Sequence, residues 1–150
     1  MRLGVDVGTV RVGVARSDPD GLLAVPVETV ARRGDAGPAV ARVLEIAAEL
    51  DAIELVVGLP VALSGRETAS TQDARAVAAM LAQGPVPVRL VDERLTTVSA
   101  QGALRASGRK SRTTRSVVDQ VAAVILLQHA LDAERTSGTA PGAVLDPNRK

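Results

Sequence analysis

The 150-residue chain has no cysteine and no phenylalanine, tyrosine or tryptophan, and its only lysines are Lys110 and Lys150. Without cysteine there is neither a disulfide framework nor a thiolate metal site. Without aromatic rings the core has to be packed from Val, Leu, Ile and Ala, and single-stranded bases have no ring platform to stack on. With so little lysine, nearly all positive charge is guanidinium, whose planar fork suits bidentate phosphate contact. Net charge is only +1, so any nucleic-acid surface must come from local clustering. No apolar run reaches membrane-spanning length and no charged-then-apolar leader pattern opens the chain, which leads us to expect a cytoplasmic protein with no membrane partner.

What is present is a strand-rich opening followed by alternating strands and helices. Leu3 to Gly8 and Val10 to Ser17 read as a hairpin turning at Gly8-Thr9, and Leu22 to Val30, broken by Pro26, reads as a third, edge strand. Asp35-Ala36-Gly37-Pro38 opens a helix with Val40, Val43, Leu44, Ala47 and Leu50 on one face. Ile53 to Leu59 is a buried strand. A helix follows over about Thr68 to Gln83, with Ala69, Ala76, Val77, Met80 and Leu81 facing inward, and Pro85 to Val91 is the last strand. Thr96 or Thr97 caps a further helix to about Ser107, and a final helix runs from about Thr114 to Glu134. The expected architecture is α/β: a mixed five-stranded sheet, three strands antiparallel and two parallel, flanked by helices. Residues 1–134 form the expected domain and 135–150 a flexible C-terminal tail.

Three acidic positions break their local patterns. Asp6 sits inside the first strand between Val5 and Val7, Glu93 follows the last strand at its carboxyl end, and Asp119 interrupts the apolar helix segment Val117 to Ile125. Each has an ordinary structural reading. Asp6 could pair with Arg2 or Arg11, Asp92-Glu93-Arg94 could be a solvated strand end, and Asp119 could complement a helix dipole. If the three converge, their mutual repulsion demands cations. Hard oxygen ligands without cysteine or clustered histidine favour Mg²⁺ or Mn²⁺, two of which, about 3.5–4 Å apart, would suit in-line phosphodiester displacement. Asp6 would then bridge the two ions, with Glu93 and Asp119 each completing one shell.

Between Glu93 and Asp119 the chain carries Arg94, Arg105, Arg109, Lys110, Arg112 and Arg115 and no acidic residue. The block is either a solvated helix end or a phosphate-contacting surface. His129, the lone histidine, lies late in the apolar final helix and is assigned no role.

Gly4-Val5-Asp6-Val7-Gly8-Thr9-Val10-Arg11-Val12-Gly13-Val14-Ala15 resembles the opening signature of the YqgF family, also called RuvX. Val57-Gly58-Leu59-Pro60, Asp92-Glu93-Arg94-Leu95-Thr96-Thr97 and Val118-Asp119-Gln120-Val121-Ala122-Ala123 resemble its later motifs in the same order. The resemblance implies a ribonuclease H-like fold related to Holliday-junction resolvases. It also implies endonucleolytic processing of the 5′ end of precursor 16S ribosomal RNA, with branched DNA as the other substrate class. Asp6, Glu93 and Asp119 fall on the family's catalytic and metal-holding positions, with Arg11, Arg94 and Thr97 beside them. Ala62-Leu63-Ser64-Gly65 departs from the polar loop common in the family, so no contact is assigned there. An actin-like or kinase domain shares the first motif but needs two such units. A non-catalytic nucleic-acid-binding module on the same fold is the other reading. Trimming RNA needs only a monomer, whereas resolving a junction calls for a homodimer.

Overall fold

The computed structural model describes residues 1–93 and 113–145, the side chains of 113–119 excepted. Strands β1 (Arg2–Val7), β2 (Arg11–Ser17) and β3 (Ala24–Ala31) form an antiparallel meander. Helix α1 (Gly37–Glu49) leads to β4 (Glu54–Leu59), which lies parallel to β1 on its other side, and α2 (Ala69–Ala82) leads to β5 (Val88–Asp92), parallel to β4. Helix α3 (Thr113–Ser137) then returns to β6 (Ala143–Leu145), antiparallel to β5. The sheet order is β3-β2-β1-β4-β5-β6.

There are therefore six strands where five were expected. The sixth comes from the segment read as tail, which has too few residues to announce a strand by alternation. Two other boundaries moved for identifiable reasons. The Asp18 carboxylate accepts from the Leu22 and Leu23 amides at 2.6 and 3.0 Å, holding them in a turn, so β3 starts at Ala24. Pro85 and Pro87 cannot donate to a ladder, and β5 begins only at Val88. The helix expected from Thr96 or Thr97 to Ser107 lies outside the described residues.

Alternation along the central strands sends side chains to two cores. Leu3, Val5, Val12, Val14, Leu55, Val57 and Val88 meet α1 and α2 through Val40, Val43, Ile46, Val77 and Leu81. Ala15, Val56 and Val91 meet α3 through Ala123, Leu126, Leu127, Ala130 and Leu131. These α3 residues follow an i, i+3, i+4, i+7, i+8 stripe. The face toward α3 is built from small residues, and a Cβ on Gly4 would stand 2.8 Å from the Leu127 Cβ and 2.9 Å from the Ala123 carbonyl oxygen. Glycine at this position lets α3 lie directly on β1.

Helix α2 is rotated from the orientation expected from its sequence. Ala69, Ala76 and Met80 are exposed, while Thr71, Ala74, Val77, Ala78 and Leu81 are buried. The cause is a polar tether at its start. Thr68 caps the Thr71 amide, the Thr71 hydroxyl accepts from the Thr68 amide at 2.9 Å, and that hydroxyl donates to the Pro60 carbonyl at the end of β4. Burying Thr71 fixes the helix face. Ion pairs close the ends of the fold: Arg2 to Glu134 at 2.5 Å and to Glu54 at 3.4 Å, and Arg32 to Asp73 at 2.7 Å while also donating to the Gly8 carbonyl at 2.9 Å. Among the described residues no helix is long and apolar enough to cross a membrane.

Candidate active site

Asp6 points to the same side of the sheet as Gly4, toward α3. Val5 is paired with Val57, so one step further along the parallel register Asp6 lies beside Gly58. On the other side of β4, Gly58 is paired with Val91 and Leu59 with Asp92. The Glu93 amide donates to the Leu59 carbonyl at 3.0 Å, which carries the ladder one residue beyond β5. Two residues after Val91, Glu93 faces α3 again. Its side chain lies back across Gly58 and hydrogen-bonds Asp6.

Two acids in contact and largely shielded from water cannot both ionise cheaply. Burial, then the hydrogen bond to Asp6 and the charges of Asp6 and Asp92, push the Glu93 carboxyl up to about 9. At neutral pH Glu93 therefore holds a proton and donates it to Asp6. The donor set fits a divalent cation: carboxylate oxygens converge on one spot, and the proton on Glu93 marks where positive charge is wanted.

This shift fixes the sign of a pH effect. In the metal-free protein the folded state keeps a proton on Glu93 that the unfolded chain, with its carboxyl near 4.5, has released. The stability that Glu93 contributes is full below about pH 4.5 and is lost as pH rises toward 9, with a limiting slope of about 1.4 kcal/mol per pH unit for one proton. Melting in chelator should fall by up to about 3–5 °C per pH unit across this window. The Glu93→Gln variant should melt at nearly constant temperature there, and an unchanged slope in that variant would assign the effect to other groups.

The remaining sequence-selected residues are placed as follows. Arg11 begins β2, half-buried, and its carbonyl accepts from the Gly8 amide at 2.9 Å across the hairpin turn. Arg2 is engaged with Glu134 and Glu54 at the other end of β1, so it is not the partner of Asp6. Asp119 and Arg115 fall in the first turns of α3. Asp119 lies one helical turn before Ala123, whose carbonyl abuts Gly4, but both side chains lie outside the description. Arg94, Thr97, Arg105, Arg109, Lys110 and Arg112 lie outside the described residues. Among the described residues no group of three or more His, Cys, Asp or Glu side chains forms a metal cluster. Sequence reasoning places Gly4 and Gly58 inside motifs but assigns neither a role of its own. Their signal was present as glycines in otherwise apolar buried strands, where a close approach is the usual reason.

The fold and the sequence each match known proteins. Thermus thermophilus RuvC, solved in complex with a Holliday junction substrate, superposes with a TM-score of 0.58 at 22% identity, covering 94% of this chain and 98% of that one. The fold is thus ribonuclease H-like. The family model described as "RuvX: Holliday junction resolvase" matches residues 1–133. A Clavibacter sepedonicus protein named "Putative pre-16S rRNA nuclease" is 64% identical over 149 residues, 99% of this chain and 92% of the relative. A Streptomyces coelicolor protein of the same name is 57% identical, over 94% of this chain and 85% of the relative. The chain belongs to the RuvX family.

Proposed function

We propose that this protein is a divalent-metal-dependent endonuclease that hydrolyses a phosphodiester near the 5′ end of precursor 16S rRNA in the cytoplasm. The observation that carries the reading is the Glu93 carboxyl laid over Gly58 against Asp6, a pair of acids held together at the cost of a raised proton affinity. Such a pair is poorly explained by stability and well explained by a cation. The names of the 64% and 57% identical relatives support the substrate.

Asp6 and Glu93 would hold Mg²⁺ or Mn²⁺, with Asp119 as the third ligand. When bound, the metal supplies Lewis-acid activation of the scissile phosphate and offsets its charge. Glu93 gives up its proton as the cation enters, so affinity should rise with pH. Asp6, on a central strand with a partner strand on each side, provides the fixed ligand. Arg11, Arg94 and Thr97 contact the scissile strand, and Arg105, Arg109, Lys110, Arg112 and Arg115 track its phosphates. With no Phe, Tyr or Trp to stack on bases, recognition falls to backbone contacts, shape and the guanidinium planes of Arg.

The family description and the junction-bound RuvC favour a second reading, resolution of branched DNA. Parallel assays with Mn²⁺ on a precursor 16S fragment and a four-way junction decide between them. We expect the RNA to be cut near the mature 5′ end and the junction to remain intact. Junction cleavage alone would replace the RNA reading with the second one, and cleavage of neither would remove both.

A further inference from the structure

The geometry points to Gly58 as a positioning residue: lacking a Cβ, it leaves open the path across β4 by which the Glu93 side chain reaches Asp6. Strand β4 lies between β1 and β5. Two strand spacings, about 9–10 Å, therefore separate the backbones that carry the two acids. Only a side chain laid flat over the middle strand closes that gap, and any substituent on the α3 face of residue 58 would block it.

A Cβ built at Gly58 would stand 2.2 Å from the Glu93 Oε1, 2.5 Å from its Cγ and 2.6 Å from its Cδ. The collision involves the stem as well as the carboxyl end, so a small rotation of the tip does not relieve it. Glu93 would have to leave the surface of β4 and lose Asp6. Among the described residues, the contacts nearest to residue 58 point to Glu93. The φ of Gly58 is not in the left-handed region, and the nearest three atoms all belong to Glu93. In a buried strand flanked by Val57 and Leu59, glycine weakens the sheet and packs nothing. Among the described residues, Glu93 is what the missing side chain makes room for. This inference rests on the metal-site reading only where cation binding is measured; its steric part stands without it.

A four-protein cycle tests it: wild type, Gly58→Ala, Glu93→Ala and the double variant, each melted in chelator and titrated with Mn²⁺ by calorimetry. With Glu93 gone, the methyl added by Gly58→Ala enters vacated space and should raise the melting temperature by about 1–4 °C. With Glu93 present, the same substitution should lower it or prevent folding. Mn²⁺ affinity should drop about 10- to 100-fold in Gly58→Ala, as far as in Glu93→Ala, with no further loss in the double variant. An equal melting penalty from Gly58→Ala in both backgrounds, or failure of both proteins carrying that substitution to fold, would overturn the inference. So would wild-type Mn²⁺ affinity in a folded Gly58→Ala. If the wild type itself takes up no Mn²⁺, the metal-site reading falls, and the melting cycle still judges Gly58.

Discussion

Asp6→Asn is expected to cut cleavage by about 10³-fold or more while raising the melting temperature of the metal-free protein by about 2–5 °C at pH 8. The two effects have one cause. Asp6 places a carboxylate inside a central strand and against a second acid, and burial first, then the hydrogen bond and charge of Asp6, keep that second acid protonated up to about pH 9. Asparagine keeps the volume and the hydrogen-bonding reach but removes the charge. It can donate to the Glu93 carboxylate, so the part of the shift that Asp6 causes is removed while the larger part, from burial, remains. A cation at the site loses the ligand that the sheet holds most rigidly. Losing several kcal/mol of transition-state stabilisation corresponds to a drop of about three decades or more in rate. Single-turnover cleavage and calorimetric melting on the same preparation measure both. Full activity in folded Asp6→Asn would take Asp6 out of the mechanism, and a lower melting temperature would show that the carboxylate stabilises the fold. The expected pairing, stability gained where activity is lost, is what a site retained for function predicts.

The sheet's main outline could be read from the chain because apolar patterning changes period where strand gives way to helix. Asp6 stood out because nothing favours a lone carboxylate between two valines in a buried strand. Glu93 was legible as a residue but not as a conformation: its side chain folds back over β4, a strand separated from its own by the whole of α2, and only the glycine at 58 hints at that path. The rotation of α2 was illegible because an apolar stripe of alanines is nearly as good on one face as on the next. The choice was made by Thr71 reaching the Pro60 carbonyl, a contact no periodicity reports. Arg2 was similarly ambiguous. Sequence offered Asp6 as its partner, whereas alternation and the antiparallel run of α3 brought Glu134 to it instead. Strand β6 was missed because three residues after a Pro-Gly pair carry too little pattern to be seen, and their pairing with Val88 to Leu90 is a tertiary fact.

Gly4→Ala should destabilise the protein by about 1–3 kcal/mol, the usual cost of overpacking, and lower cleavage about tenfold beyond what that loss of stability explains. The new methyl would meet the Ala123 carbonyl at 2.9 Å and the Leu127 Cβ at 2.8 Å, both fixed parts of α3, so the helix has to move off β1. Asp119 lies one turn before Ala123, and any displacement there is transmitted to the end of the helix proposed to supply the third ligand. The control is Ile46→Val in the core beneath α1, on the opposite face of the sheet, which should cost about 0.5–1.5 kcal/mol. Assayed well below both melting temperatures, Ile46→Val should cut substrate at the wild-type rate and Gly4→Ala should not. If the two variants keep equal activity, the seating of α3 on β1 serves packing only, and the site does not depend on it. Because residue 4 is two positions from Asp6 on the same face, a loss confined to Gly4→Ala would mean that β1 contributes twice, once through its carboxylate and once through the side chain it lacks.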